Sequence, residues 1–178
     1  SEQFLKILFY SIQKTDKKKI VIGVKEPYLG NLLIPLSNLE NIHIINIIRD
    51  PREIIYSRNY AQIKNHSNFQ NKKHPVIFSS LLCLRNMEAD LKLRNKKNYF
   101  SLKFKDLINK KKKIEKKLSE FLKIRISLDL RNRWKINSSG SNTNYGSNWK
   151  KNMKIEDIAI IEKICSDKFD YYGFEKEI

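Results

Sequence analysis

Arg49 and Ser57 are the residues whose types and spacing best suit the binding of an anion. Arg49 directly follows the apolar segment Ile42–Ile48, and Ser57 lies eight positions further along the chain. A guanidinium offers a planar fork of N–H donors to a phosphate, and a hydroxyl adds one more donor. Two interpretations are open on spacing alone: the side chains flank one anion site, or the arginine pairs with a carboxylate while the serine faces solvent.

A helix should begin directly after Arg49 and position Ser57. Asp50 is a typical N-cap residue, Pro51 fits the first helical position, and Glu53 stands where a capping box needs its carboxylate. Ser57 then lies two helical turns beyond Asp50, on the same face of the helix. The positive end of the helix dipole also favours an anion at this point.

Predicted strands and helices alternate along the chain. This alternation predicts an α/β fold, a parallel sheet flanked by helices, in a single domain over residues 1–178. Ligands of such sheets bind at the carboxyl ends of the strands, where Arg49 lies. The predicted strands are Ile20–Val24, Ile42–Ile48 and Tyr99–Phe104. Leu29–Leu39, interrupted by Pro35, is either a helix or a turn-rich crossover. The predicted helices are 4–13, Pro51–Lys64, Val76–Lys96, the lysine-rich segment from Lys110 to Lys123, and Lys154–Phe169; 65–75 and 136–148 are predicted loops.

The charge of the chain favours an anionic partner without naming it. The 178 residues include 36 Lys and Arg against 19 Asp and Glu, a net charge of +17. Such an excess attracts polyanions and speeds encounters with them. Lysines cover the outer side of the amphipathic helix that begins near Lys110, either as a solvated face or as a contact for a polyanion. A general bias toward Lys, Ile and Asn is an alternative source of part of this charge.

Several function classes find no support in the sequence. No apolar run is long enough to span a bilayer, and the first residues lack the layout of a signal peptide. The three histidines have no partner ligands at suitable spacing, so we expect no metal site. Cys83 and Cys165 lie in predicted helices, and we expect free, buried thiols in a reducing compartment, the cytoplasm.

The segment from Ile48 to Arg58 resembles a known phosphate-binding element. Its pattern of an arginine at a strand end, Asp-Pro-Arg-Glu and a serine eight residues after the arginine is similar to the 3′-phosphate-binding segment of sulfotransferases that use 3′-phosphoadenosine 5′-phosphosulfate (PAPS). By this resemblance, Arg49 and Ser57 hold the 3′-phosphate of PAPS, or of the product 3′-phosphoadenosine 5′-phosphate (PAP).

Four further segments resemble the same family in the same order. The resemblance implies a P-loop-NTPase-like sulfotransferase fold in which Phe104, Gly146, Trp149 and Lys150 also contact the cofactor. Tyr99–Leu107 resembles the strand ending in Tyr-Glu-Asp-Leu, with Phe104 in the tyrosine's place; Phe121–Ile124 resembles Phe-Leu-Gly-Leu; Tyr145–Lys150 resembles the Gly-Asp-Trp-Lys loop; and Tyr172–Glu175 resembles the closing Gly-Tyr-Glu.

Lys25 and Glu26 follow the first predicted strand and are the candidate catalytic residues. A lysine at this edge can neutralise charge on a transferring sulfuryl group and its leaving oxygen, and a carboxylate can accept the acceptor's proton. The segment is similar to the Lys-Asp-Pro or Lys-Thr-Pro turn of protein- and carbohydrate-directed sulfotransferases, which favours Lys25. Glu26 is second, because adjacent residues of an extended chain point to opposite faces. The alternatives are a surface ion pair and a catalytic base from an upstream segment.

The chain departs from the family in two places. The family's strand–loop–helix of the type Arg/Lys-Ser-Gly-Thr-Thr, which holds the 5′-phosphosulfate, has no counterpart around Gly23. We therefore interpret the fold as N-terminally incomplete, the C-terminal portion of a longer protein; a cradle supplied from elsewhere and a degenerate protein are the alternatives. Gly140 stands where the family often places an aromatic residue against the adenine.

The expected reaction is transfer of a sulfuryl group from PAPS to a hydroxyl or amine of a glycan, protein or small molecule. No covalent enzyme intermediate is needed, so catalysis would rest on positioning and charge stabilisation. The segment 65–75 is a candidate acceptor-binding loop, residues 137–152 are a candidate lid, and the basic surface suits an anionic glycan.

Two other function classes compete with this one. The first is a basic nucleic-acid- or polyanion-binding module, although no zinc-ligand or RNA-binding aromatic signature accompanies the lysines, so nucleic acid is the weaker partner. The second is a catalytically inactive sulfotransferase-like remnant. A Golgi location would require an anchor in a longer N-terminus, and the sequence does not fix the acceptor or the oligomeric state.

Overall fold

The computed structural model describes residues 29–59, 75–127 and 148–178. Several predictions lie outside these ranges. They are the helix 4–13, the strand Ile20–Val24, the end of the helix after Asn59 and nearly all of the loops 65–75 and 136–148.

Two parallel strands form the sheet in the described part of the chain. Strand β1 (Ile44–Ile48) pairs with β2 (Tyr99–Lys103), with Ile44 opposite Tyr99 and Ile48 opposite Lys103. The prediction of parallel strands is confirmed for this pair. Because both strands run in the same direction, the residues that follow them meet at one edge of the sheet.

One face of β1 is buried and the other is partly exposed. Ile44 and Ile48 are buried, whereas Ile45 and Ile47 are 40% and 45% exposed. Successive side chains of a strand point to opposite faces, and the helices described below cover the face that carries Ile44 and Ile48. The apolar composition of this strand predicts burial, which the structure shows for Ile44 and Ile48, whereas Ile45 and Ile47 remain partly exposed.

Helices connect and cover the strands, mostly at the predicted places. Of the two alternatives for Leu29–Leu39, the structure has the turn-rich one, a 3₁₀ turn and one short helix. The predicted helix Lys154–Phe169 extends three residues further, to a C-cap at Gly173 with φ 65°. The bounds are: 3₁₀ turn Leu29–Leu32, α1 Leu33–Leu36, α2 Pro51–Asn59, α3 Val76–Leu93, α4 Phe104–Asn109, α5 Lys111–Leu122, α6 Asn148–Asn152 and α7 Ile155–Tyr172.

The main core lies where α3 and α7 pack against each other and against α2 and α6. Ile55, Trp149, Cys165 and Phe169 belong to its largest apolar cluster. Cys83 and Cys165 are buried thiols that form no disulfide, as predicted. Burial raises the pKa of the Cys165 thiol to about 12. Within the described ranges, no helix is long and apolar enough to cross a membrane.

A buried carboxylate joins both strands to α3 and α7. Asp90 accepts hydrogen bonds from the Tyr99 hydroxyl at 2.7 Å, the Tyr172 hydroxyl at 2.8 Å and the Asn46 amide at 3.3 Å, and Arg94 pairs with it at 3.2 Å. Burial and the hydrogen bond to Asp90 raise the pKa of each tyrosine. A buried charge needs this number of donors, because desolvation would otherwise outweigh its attraction to Arg94.

Candidate active site at the carboxyl edge of the sheet

Arg49 lies at the end of β1, where the parallel register brings it beside the first residue after β2. Its Nε donates to Glu53 Oε2 at 2.7 Å, and its guanidinium carbon lies 4.8 Å from the centre of the Phe104 ring. The side chain is 31% exposed. Two of the predicted site residues, Arg49 and Phe104, are therefore in contact, and Glu53 and the ring fix the direction of the guanidinium.

The outer fork of this guanidinium is open. Within the described ranges, the two Nη nitrogens of Arg49 donate no hydrogen bond, while Nε is used by Glu53. The donor set suits a phosphate, because a guanidinium can bind one end-on through its two Nη groups while Nε keeps another acceptor. Of the two interpretations of Arg49, the pairing with a carboxylate is present, and it leaves the anion-binding donors available.

The start of α2 is built largely as predicted. Asp50 Oδ1 accepts the backbone N–H of Arg52 at 2.9 Å, which confirms Asp50 as the N-cap. Glu53, however, accepts from the Arg49 guanidinium, so the predicted capping box is wrong. Ser57 is exposed, and no hydrogen bond joins it to Arg49 within the part of the chain that the structure describes.

Arg52 is a buried cation that the sequence analysis missed. Its side chain is 3% exposed and binds both oxygens of Asp50, at 3.0 Å from Nε and 2.7 Å from Nη2, and Glu162 at 2.5 Å from Nη1. The guanidinium lies between the rings of Trp149, at 4.1 Å, and Phe169, at 4.8 Å. Burial alone would lower the pKa of Arg52, but the hydrogen bonds and charges of Asp50 and Glu162 outweigh burial and raise it.

Glu162 connects this cation to the last residues of the chain. Besides Arg52, it accepts the backbone N–H groups of Glu177, at 3.0 Å, and Ile178, at 3.1 Å. Asp50, which also binds Arg52, directly follows Arg49. The ionic cluster of Arg52, Asp50 and Glu162 therefore holds the start of α2, the middle of α7 and the C-terminal residues together.

Trp149 and Lys150 lie beside the ionic cluster, Trp149 through its contact with Arg52 and Lys150 through its ion pair with Glu177. Trp149 is 2% exposed in the core, its ring contacts the Arg52 guanidinium, and its Nε1 has no hydrogen-bond partner among the described residues. The Lys150 ammonium pairs with Glu177 and lies 5.5 Å from the centre of the Trp149 ring. No contact in the described ranges joins either residue to Arg49 directly; the link runs through Arg52 and Asp50. The remaining predicted site residues, Lys25, Glu26 and Gly146, lie outside the described ranges.

A second cation, missed by the sequence analysis, occupies the same sheet edge. Lys103 ends β2 opposite Ile48, and its ammonium donates to the carbonyl of Tyr172 at 2.6 Å. Gly173 follows in the left-handed region at φ 65°, and a Cβ there would meet the Lys103 ammonium at 3.8 Å. Lys103 therefore ties the end of α7 to the edge that carries Arg49.

Residues 30–173 match the family model described as a sulfotransferase domain. The chain belongs to the sulfotransferase family. No curated protein and no solved structure matches it. The sulfotransferase match includes both strands and the whole of the ionic cluster, whereas Lys25 and Glu26 precede its first residue. The family assignment confirms the resemblance, and the mixed helices with a small parallel sheet fit the α/β class.

Proposed function

We propose that this sulfotransferase takes a sulfuryl group from PAPS and transfers it to a hydroxyl or amine of a glycan, protein or small molecule. The observation that carries the proposal is the open guanidinium fork of Arg49 at the carboxyl edge of two parallel strands. This edge is where α/β sheets bind their ligands, and the fork is oriented before any anion arrives.

In this proposal, Arg49 binds the 3′-phosphate of the donor through its Nη groups. Glu53 and Phe104 restrict the side chain, so less conformational entropy is lost when the anion binds. The positive end of α2 lies beside Arg49 and favours the same charge. Ser57 would add a hydroxyl donor from the outer side of α2.

The other proposed contacts come from the family resemblance. Gly146 and Lys150 would contact the nucleotide, and Trp149 would hold Lys150 in place from within the core. Lys25 would stabilise negative charge at the reacting centre, and Glu26 would accept the acceptor's proton. PAPS supplies an activated sulfuryl group whose transfer needs no covalent enzyme intermediate. Binding the remote 3′-phosphate at Arg49 can support orientation at the reacting centre.

Thermal denaturation with PAP tests the proposal. At a PAP concentration of about 100 times Kd, we expect the melting temperature to rise by about 5–10 °C. Arg49→Ala should abolish this rise. Arg85→Ala is the matched control, because it also removes one exposed arginine, from α3, and it should keep the rise. No rise in the unmodified protein, or equal loss in both variants, would contradict the proposal.

A further inference from the structure

The outer side of α5 carries four exposed lysines. Lys112, Lys113, Lys116 and Lys117 point away from the core, and we call them the α5 lysine surface. On the opposite side of the helix, Ile114 and Leu118 are buried against Leu102 of β2. Packing therefore fixes the helix with its lysines toward solvent. Each lysine stands one helical turn from another, Lys112 from Lys116 and Lys113 from Lys117, which is a rise of about 6 Å.

Two acidic side chains near this surface pair with lysines that do not belong to it. Asp106 pairs with Lys110 at 2.8 Å, and Glu115 lies 3.9 Å from Lys111. In the described ranges, no ion pair involves any of the four lysines, and Glu120 is the exposed acid on the same side of the helix. The surface therefore carries a local excess of positive charge, with no ion pair to any of its four lysines in the described ranges.

The α5 lysine surface follows the sheet edge closely along the chain, because α4 begins at Phe104 and α5 begins at Lys111. The hydrogen bond from Lys110 lowers the pKa of Asp106, and the charges of Lys103 and Lys113 lower it further. Asp106 thus lies within the influence of both Lys103, at the sheet edge, and Lys113, in the first turns of α5.

The surroundings of the surface argue against single-stranded nucleic acid and against insertion into a membrane. Phe121, the aromatic residue of α5, is half-buried against His43 and Phe100, at ring distances of 5.3 Å each, so it offers no platform for unstacked bases. The Ser119 hydroxyl is used within the chain, by Glu115 and Ile126. The apolar side of α5 is buried and cannot insert into a lipid surface.

We propose that the α5 lysine surface binds a linear anionic polysaccharide, carboxylated or sulfated. Such a chain displays its charges outward and needs neither base stacking nor lipid insertion, so exposed lysines on a convex helix suit it. Binding would depend on salt, because each lysine that contacts the polymer displaces counterions from it. This binding surface is separate from the proposed anion site at Arg49 and does not depend on sulfuryl transfer.

The test compares two variants with equal loss of charge. The first replaces the surface (K112Q/K113Q/K116Q/K117Q), and the control replaces four other exposed lysines (K92Q/K97Q/K154Q/K163Q). Binding of a heparin dodecasaccharide is measured by calorimetry at several salt concentrations. We expect the first variant to lose at least about tenfold in affinity and about three units of salt slope, and the control to change less than about twofold. Circular dichroism and melting temperature establish that both variants fold.

Other outcomes would overturn the proposal. Equal weakening in both variants would mean that total charge alone attracts the polysaccharide. Equal or tighter binding of a DNA duplex, or of phosphatidylserine vesicles, to the α5 lysine surface would assign it to another class of partner. The rise in melting temperature with PAP is measured in the same proteins. If none of them shows this rise, the proposed function is contradicted, while the polysaccharide result is unaffected.

Discussion

The Arg49 guanidinium lies over the Phe104 ring, at 4.8 Å from its centre, and so joins the ends of two parallel strands. The ring and the Glu53 carboxylate both contact the side chain, while its two Nη groups donate no hydrogen bond within the described ranges. This arrangement combines a fixed cation with available hydrogen bonds, which is what recognition of a phosphate requires.

Removing the ring should loosen the anion site. Phe104→Ala is expected to weaken PAP binding by about two- to fivefold, because a cation–π contact contributes roughly 0.5–1 kcal/mol where it is partly exposed. Phe104→Tyr should retain the affinity, since the ring face is kept. Calorimetric titration with PAP measures both. Equal affinities for Phe104→Ala and the unmodified protein would show that the ring does not orient Arg49.

Two variants at the C-terminal ion pair should change PAP affinity in opposite directions. Lys150→Ala is expected to weaken PAP binding, because it removes the ammonium that we propose to contact the nucleotide. Glu177→Gln should strengthen it, because Glu177 holds the Lys150 ammonium and would otherwise compete with the incoming anion. The pKa of Glu177 is lowered by its hydrogen bond to Lys150, which is the same interaction seen from the carboxylate. Calorimetric titration with PAP measures the affinity of both variants. A change of affinity in the same direction in both would argue against a role for Lys150.

Loss of Arg52 should destabilise the whole protein. Arg52→Ala leaves Asp50 and Glu162 without their buried cation, and removing one partner of such a cluster costs about 3–5 kcal/mol. Urea denaturation gives the free energy of unfolding. Arg85→Ala, at the surface, should change it by less than about 0.5 kcal/mol. A small effect of Arg52→Ala would mean that water or a rearranged side chain satisfies the two carboxylates.

The buried tyrosines should make the protein sensitive to alkali. Burial and Asp90 raise the pKa of Tyr99 and Tyr172 above the ordinary value of 10.0, so folding favours their protonated forms. Their contribution to stability is complete below about pH 10 and is lost as the pH rises toward the raised values, at about 1.4 kcal/mol per pH unit for each tyrosine. Urea denaturation across this range should show a shallower decline for Tyr172→Phe. An identical decline in both proteins would show that Tyr172 does not control the alkaline loss.

Local chemistry was predictable from the sequence, and distant pairing was not. The N-cap at Asp50 and the strand β1 depend on adjacent residues, and both were predicted. Two local donors lie within reach of Glu53, the backbone at the start of α2 and the Arg49 guanidinium. The spacing of the residues does not show which of the two donors it binds. Arg52 and Glu162 meet across 110 residues of chain, and no sequence pattern points from one to the other.

Burial was the other property that the sequence could not settle. All but one of the residues of β1 are isoleucines, so composition alone predicts a strand covered on both sides. The asymmetry between buried Ile48 and exposed Ile47 arises from which helices pack on the sheet. Asp90 was overlooked for the same reason: its partners Asn46, Tyr99 and Tyr172 come from three other elements, and only the packed fold brings them to one carboxylate.

The parallel pairing of β1 and β2 has a consequence for how the protein acquires its binding properties. Arg49 and Phe104 meet only because a long crossover through α2 and α3 returns the chain to the same edge. Such distant contacts form late, since loop closure must precede them. A nascent polypeptide that has left the ribosome as far as α3 would carry Arg49 without its ring. Recognition of the nucleotide should therefore be acquired abruptly, when the second strand docks.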